Sequence, residues 1–201
     1  MSYDIYLKDP ISKETLELPT AHMMGGGTVH AEMVNGRLVQ APTTEAWLNI
    51  TYNYAPYYYE VTDGDSRFAH DEVSAYYADG TQGPVETQYG IRGIYGKTGA
   101  ESIPMLQDMI SRITAAYQKD GEWITTTRTK YRMLDKRGVE IHDPIWAILH
   151  NVPHTEEEYQ IDVNEGPDTD YWEPTAGNAI RPLRQLMAMA QLRPDGIWDG
   201  D

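Results

Sequence analysis

Residues 44–60, TEAWLNITYNYAPYYYE, contain the longest strand that the sequence predicts. If residues 44–54 are extended, their side chains alternate between two faces, because successive side chains of a strand point to opposite sides. Pro56 would end this strand or mark it as an edge strand, since proline has no N–H for a neighbouring strand. The face predicted to enter the core carries Leu48, Ile50, Tyr52 and Tyr54.

The same segment is rich in tyrosine, as is the whole chain, which has 15 Tyr, 5 Trp and 1 Phe. Tyrosine combines a large apolar ring with a polar tip and therefore suits half-buried surfaces and contact surfaces. Tyr57, Tyr58 and Tyr59 are consecutive, so they cannot all point into a core. We predict that part of this tyrosine set, together with Trp47, forms a contact surface.

The remaining patterns predict an α+β fold in a single domain of residues 1–201. Asn-Gly at 35–36 lies between two short alternating segments and predicts a hairpin, because both turn positions favour positive φ. Two main helices are predicted at about 103–119, with Ser102 as N-cap, and at 178–192. Strands fill the first third of the chain without regular alternation with helices, which favours an antiparallel, hairpin-rich sheet.

Several shorter elements are predicted with weaker patterns. Residues 71–78 favour a short helix, although glycines follow closely. Residues 123–134 and 139–142 are typical of a second hairpin that turns at 135–138. The C-terminal segment is predicted to form a turn that packs Trp198 on the core.

Composition narrows the function. The 201 residues include 31 acidic and 16 basic ones, which gives a net charge of −15. Such an excess repels nucleic acid and anionic membranes, so we expect neither to be a direct partner. The absence of cysteine excludes disulfides and thiolate chemistry. No signal-peptide pattern and no long apolar segment is found, and we therefore expect a cytoplasmic protein.

Charge is also segregated along the chain. Residues 112–137 include seven basic and three acidic residues, whereas residues 156–173 include eight acidic residues and no basic one. Either the two segments pair with each other, or the acidic segment forms a negative surface that binds a basic partner. The acidic residues predicted to contact such a partner are Glu156, Glu157, Glu158 and Asp162.

One group of residues has the composition of a metal site. Imidazole and carboxylate are ligands that divalent ions accept. The spacing is weak, because Pro153 separates the last two histidines and prevents a shared helical face. The predicted ligands are His142, Asp143, His150 and His154.

Familiar catalytic motifs are missing from the sequence. It has no G-x-S-x-G elbow, no H-E-x-x-H helix and no Walker loop. Whether the protein is an enzyme stays open at this point, with a non-catalytic role favoured, and no cofactor is predicted.

Four stretches of the sequence carry a resemblance: YDIYLKDP at 3–10, TTEAWLNITYNYAPYYYE at 43–60, GIRGIYGKTGAESIPML at 90–106 and DYWEPTAGNAIRPLRQLMAMAQLRPDGIWDGD at 170–201. Together they resemble a group of small uncharacterised proteins encoded by phages and prophages, mostly of Firmicutes. The resemblance covers somewhat under half of the chain and implies no particular activity. Relative to that group, residues 29–42, 61–89 and 120–167 are predicted to be insertions.

Together these patterns favour a phage or prophage accessory binding protein that acts on a host component. It would block a basic site of a host protein or sequester a small signal molecule, and so counter a host defence. Two alternatives stay open. One is a metal-assisted hydrolase that uses the His142 cluster, and the other is a virion or assembly component that forms a closed homo-oligomer.

Overall fold

The structure is a computed structural model, and it describes residues 2–22, 31–35, 37–40, 42–73, 77, 80–119 and 122–201. It confirms the α+β fold, with helices and antiparallel strand pairs. The strands are β1 (Ser2–Lys8), β2 (Glu17–His22), β3 (Ala31–Val34), β4 (Arg37–Gln40), β5 (Thr43–Glu45), β6 (Trp47–Thr51), β7 (Ala69–Val73), β8 (Val85–Tyr89), β9 (Gln118–Lys119), β10 (Glu122–Trp123), β11 (Thr125–Asp135), β12 (His154–Asn164) and β13 (Ile197–Gly200).

Four α-helices lie between these strands in the described part of the chain. The second and fourth are the two main helices, and they pack against each other. The helices are α1 (Ala55–Thr62), α2 (Gly99–Tyr117), α3 (Pro144–Leu149) and α4 (Ala176–Leu192).

The core lies against a three-stranded antiparallel sheet with the order β13-β1-β6. Strand β1 is central, and its alternating side chains Tyr3, Ile5 and Leu7 are completely buried. Burial of alternate residues is expected for a strand with one face on a core. The sheet therefore joins the two ends of the chain, since β1 pairs with β13 on one side and with β6 on the other.

The prediction that Trp198 packs on the core is confirmed, although the C-terminal segment forms strand β13 and not only a turn. Trp198 is 1% exposed, and its Nε1 donates a 2.7 Å hydrogen bond to Ser102 Oγ. A buried indole N–H needs such a partner, because an unpaired buried donor is costly. The bond ties β13 to the first turns of α2.

Both main helices are confirmed, and both begin earlier than predicted. Helix α2 begins at Gly99, where Thr98 and Glu101 form a capping box. Thr98 Oγ1 accepts a bond from Glu101 N–H, and Glu101 Oε2 accepts a 2.8 Å bond from Thr98 N–H. The prediction of Ser102 as N-cap is therefore wrong. Helix α4 is capped by Thr175, whose Oγ1 accepts a bond from Asn178 N–H.

The strand predicted over residues 44–54 is wrong beyond Thr51. The chain bends between β5 and β6, and Tyr52–Tyr54 forms a 3-10 turn that leads into α1. Thr51 Oγ1 accepts a hydrogen bond from Asn53 N–H and so caps this turn. Pro56 lies in the first turn of α1, where its missing N–H removes no helical bond, so it starts a helix here.

Two hairpin regions test the shorter predictions. The Asn-Gly hairpin is confirmed, since β3 pairs with β4 and Asn35 has φ 52°, while residues 28–30 and 36 lie outside the described residues. The helix predicted over 71–78 is wrong for its first three residues, which belong to β7 and pair with β8. Tertiary pairing overrides a weak helical pattern here. Residues 74–76 and 78 of that prediction lie outside the described residues.

We predict that Trp198→Ala lowers the free energy of unfolding by about 3–5 kcal/mol, because it leaves a cavity and removes the buried hydrogen bond that Ser102 Oγ accepts. Trp172→Ala is the matched control, because Trp172 is 53% exposed, and its effect should stay within about 1 kcal/mol. Urea titrations followed by circular dichroism measure both changes. Equal shifts in the two variants would contradict the role given to Trp198.

Candidate interaction surface

The most exposed large unit of the fold is a long hairpin, which we call the arm and define as residues 125–164. Strands β11 and β12 pair along their whole length, from Thr125 opposite Asn164 to Asp135 opposite His154. Among the described strands, neither has a second partner strand, and the outer edge of β11 is bridged only near its end, between Leu134 and Glu140. We call the remainder of the chain the body.

The arm corrects the predicted second hairpin. The turn at 135–138 is confirmed, because Asp135 Oδ1 accepts bonds from Arg137 N–H and Val139 N–H and Gly138 has φ 75°. The chain then runs back only briefly, with a bridge between Leu134 and Glu140. The full-length partner of β11 is β12, because the acidic segment forms a strand opposite the basic one.

The far end of the arm carries the short helix α3. Asp143 caps it by accepting a 2.8 Å bond from Trp146 N–H, and Asn151 with φ 51° follows its end. Met133 and Ala147 are buried at this end. Four large apolar side chains of the helix remain exposed, and we call them the tip cluster: Ile145 (71%), Trp146 (52%), Ile148 (56%) and Leu149 (73%).

The predicted metal ligands lie at the same end, and they do not form a site. Asp143 is engaged as the N-cap of α3, His150 packs against the Trp146 ring at 4.7 Å, and His154 Nδ1 lies 2.7 Å from Val152 O. Among the residues that the structure describes, no three His, Cys, Asp or Glu side chains are arranged to hold a metal ion. The predicted cluster that includes His142 is therefore wrong.

At its base, the arm is fixed to the body by the buried carboxylate of Glu165. This side chain is completely buried, and both of its oxygens accept hydrogen bonds. Oε1 accepts from Thr126 Oγ1 and, at 2.8 Å, from Arg128 Nη2. Oε2 accepts from the Tyr57 hydroxyl and, at 2.9 Å, from Ala176 N–H at the start of α4.

The Glu165 site depends on close packing of the chain that follows it. The N–H of Gly177 donates a 2.8 Å bond to Glu165 O, and a Cβ at Gly177 would lie 2.2 Å from Pro167 N. Only glycine allows this approach. Sequence reasoning did not single out Glu165, because it is one of eight acidic residues between 156 and 173 and no motif marks it.

The two faces of the arm differ in charge. One face carries Arg128, Lys130 and Arg132, each paired with a carboxylate: Glu165 at 2.8 Å, Glu173 at 3.0 Å and Glu157 at 2.6 Å, respectively. The hydrogen bond to Glu157 is the main reason why the pKa of Arg132 is raised. The interpretation that the basic and acidic segments pair with each other is thus confirmed for this face.

The other face of the arm is acidic and carries three of the four predicted contact carboxylates, and we call it the acidic face. Glu156, Glu158 and Asp162 are all exposed on it. Their cross-strand partners are not basic: Met133, Tyr131 and Thr127. The structure therefore divides the predicted acidic set, with Glu157 neutralised on one face and the other three together on the opposite face.

The predicted aromatic contact surface is corrected in part. Tyr57 and Tyr58 are 1% and 0% exposed, because they lie on α1 and point into the core. Burial is also why the pKa of Tyr58 is well above its ordinary value. Tyr59 is half-buried and bonds to the Tyr3 hydroxyl. Trp47 is half-buried and stacks on Tyr6 at 5.6 Å, on the sheet and not on the arm.

An open cleft of about 680 Å³ lies beside β7 and the C-terminus of the chain. Its Arg92 is already engaged by Glu72 at 2.8 Å and by the carbonyl oxygen of Asp201 at 2.8 Å. Its other lining residues include the charged side chains of Asp71, Lys97 and Asp201, together with the rings of His70 and Tyr95. This differs from the mainly apolar lining that is typical of small-molecule sites.

No protein-family model, curated protein or solved structure matches the chain. Within the described ranges, no helix combines the length and apolar character needed to cross a membrane.

We predict that Glu165→Gln lowers the free energy of unfolding by about 3 kcal/mol, because it leaves Arg128 without its countercharge. Glu173→Gln removes the same charge from the more exposed pair with Lys130, and its cost should stay below about 1 kcal/mol. Chemical denaturation of both variants measures the difference. A similar loss in both would show that Glu165 is not the anchor of the arm.

Proposed function

We propose that the protein is a non-catalytic accessory binding protein of phage or prophage origin that blocks a basic site on a host protein. The origin rests on the resemblance of the four stretches to phage and prophage proteins. The binding role rests on the acidic face of the arm.

The observation that carries this proposal is the grouping of Glu156, Glu158 and Asp162 on one exposed face. Among the described residues, no ion pair includes any of the three. Asp162 accepts a bond from the Thr127 hydroxyl, which is neutral. The face therefore presents uncompensated negative charge beside hydroxyl groups that donate and accept hydrogen bonds.

Electrostatics explains what such a face binds. A net charge of −15 attracts basic surfaces at a distance and accelerates association with them. Complementary charges at the contact then select the correct partner. The attraction weakens with salt, because the Debye length falls from about 30 Å at 0.01 M to about 3 Å at 1 M.

Two observations favour a protein partner over the other functions considered. A metal-assisted hydrolase would need the His142 cluster, but among the described residues no group of three or more His, Cys, Asp or Glu side chains could hold a metal ion, and Asp143 caps α3. Small-molecule sites are usually concave and mainly apolar, whereas this cleft is open and lined by several charged side chains. The acidic face needs neither a metal nor a pocket.

We predict that Glu156→Lys, Glu158→Lys and Asp162→Lys together reduce partner binding at least about tenfold, because they reverse the charge that selects a basic surface. The control variant carries Glu14→Lys, Asp63→Lys and Glu86→Lys, which change the net charge equally at exposed positions of the body. Affinity capture from bacterial lysate with quantitative mass spectrometry compares the two variants with the unmodified chain.

The expected result is one basic host protein, captured in stoichiometric amount by the unmodified chain and by the control, and released as salt rises. Retention of that protein by the triple arm variant, or equal loss by the control, would contradict the proposal. Recovery of no stoichiometric protein would contradict it as well.

A further inference from the structure

The tip of the arm differs from the rest of the molecule in charge. Residues 136–154 contain two basic residues, Lys136 and Arg137, and two acidic ones, Glu140 and Asp143, so their formal net charge is zero. The whole chain has a net charge of −15. Contacts between two copies bring like charges together over most of the surface, but not at the tip.

The tip cluster also exposes apolar surface on a scale that marks an interaction site. Its four side chains are between 52% and 73% exposed, which amounts to roughly 500 Å² for side chains of this size. Contiguous apolar patches of a few hundred Å² on soluble proteins are commonly contact surfaces. Two such clusters facing each other would bury roughly 1,000 Å², the lower bound for a specific interface.

The arm holds this patch away from the acidic body. Lys130 bonds to Glu173 of the body, and β11 continues for five residues beyond it, to Asp135. Five strand residues span roughly 17 Å. If two arms meet end to end, their bodies are separated by about twice this distance, which is several times the Debye length of about 8 Å at physiological salt.

From these three observations we propose that the tip cluster is the interface of a homodimer, in which α3 of one copy packs against α3 of a second copy. The contact is isologous, because the same patch serves both subunits. A second copy fits better than a basic partner, because the tip is neutral and apolar and each copy offers the same matching surface. The inference goes beyond the proposed function and does not depend on the acidic face.

A dimer of this kind would present two acidic faces. Two linked contact surfaces bind a partner with two sites far more tightly than one surface does, provided that the spacing fits. The tip would then determine how many partners are engaged, while the acidic face would determine which partner is bound.

Sedimentation equilibrium of the full chain tests the inference. The unmodified protein should have twice the 22.8 kDa mass of one chain at concentrations of about 10–100 μM, a range that populates a micromolar dimer. Ile145→Glu with Leu149→Lys should raise the dimer dissociation constant at least about 100-fold, because it removes two central apolar contacts from each copy. The new i, i+4 Glu–Lys pair supports the helix, so α3 is retained.

The matched control is Ile11→Glu with Val85→Lys, which replaces exposed apolar residues of the body without a net charge change. The control should dimerise like the unmodified chain, and circular dichroism should show the same helix content in all three proteins. Raising the salt concentration from 0.01 M, where the Debye length of about 30 Å is close to the separation of the bodies, to 0.15 M should strengthen the dimer, because it screens the repulsion between acidic bodies. Capture of a basic partner should respond to salt in the opposite direction, so failure of one proposal is distinguishable from failure of the other.

Three results would overturn the inference. They are a mass of one chain at the highest concentration, a dimer that survives in the Ile145/Leu149 variant, and a mass above two chains. Loss of the dimer in the Ile11/Val85 control would overturn it equally, because the contact would then lie on the body.

Discussion

The buried carboxylate of Glu165 is the interaction on which the arrangement of the elements depends. Burying an ionised group away from water destabilises the fold unless the group is paired with an opposite charge and hydrogen-bonded. Glu165 meets this requirement with donors from three elements: Tyr57 of α1, Thr126 and Arg128 of β11, and the Ala176 N–H at the start of α4. The positive end of the α4 dipole further stabilises the negative charge of Glu165. An isolated two-stranded ribbon is marginal in water, so this anchor gives the arm a fixed direction.

Where local pattern and tertiary packing agree, the sequence predicted the fold correctly. The Asn-Gly hairpin and the apolar faces of α2 and α4 each point to one structure. The predictions were wrong where a local pattern is compatible with two different structures. Ser102 has a side chain that suits an N-cap, but Thr98 and Glu101 cap the helix, and Ser102 Oγ accepts the hydrogen bond from Trp198 Nε1. Pro56 was interpreted as the end of a strand, yet the first turn of a helix accepts it equally well.

The charge pattern of the sequence identified the acidic segment, but it could not show which of its carboxylates lie on the exposed face. Opposite net charges in residues 112–137 and 156–173 left two alternatives, pairing of the segments or a free acidic surface, and the arm contains both, on opposite faces. Which carboxylates stay free depends on strand register, because adjacent residues such as Glu157 and Glu158 lie on opposite faces. The sequence does not specify that register. Tyr57 and Tyr58 were predicted to be contact residues, but both are buried. The three consecutive tyrosines lie on helix α1, where successive side chains point in different directions, so two of them enter the core and Tyr59 stays half-buried.

The strand edges of the arm also bear on the contact between copies that we propose at its tip. An unpaired strand edge invites pairing with another chain, and natural proteins discourage this with charged side chains. Here β11 carries Arg128, Lys130 and Arg132 and β12 carries consecutive glutamates at 156–158, so both strands of the arm have charged side chains. The net charge of −15 on each chain opposes close contact between two bodies. The tip has no net charge and is apolar, so a contact there avoids that repulsion.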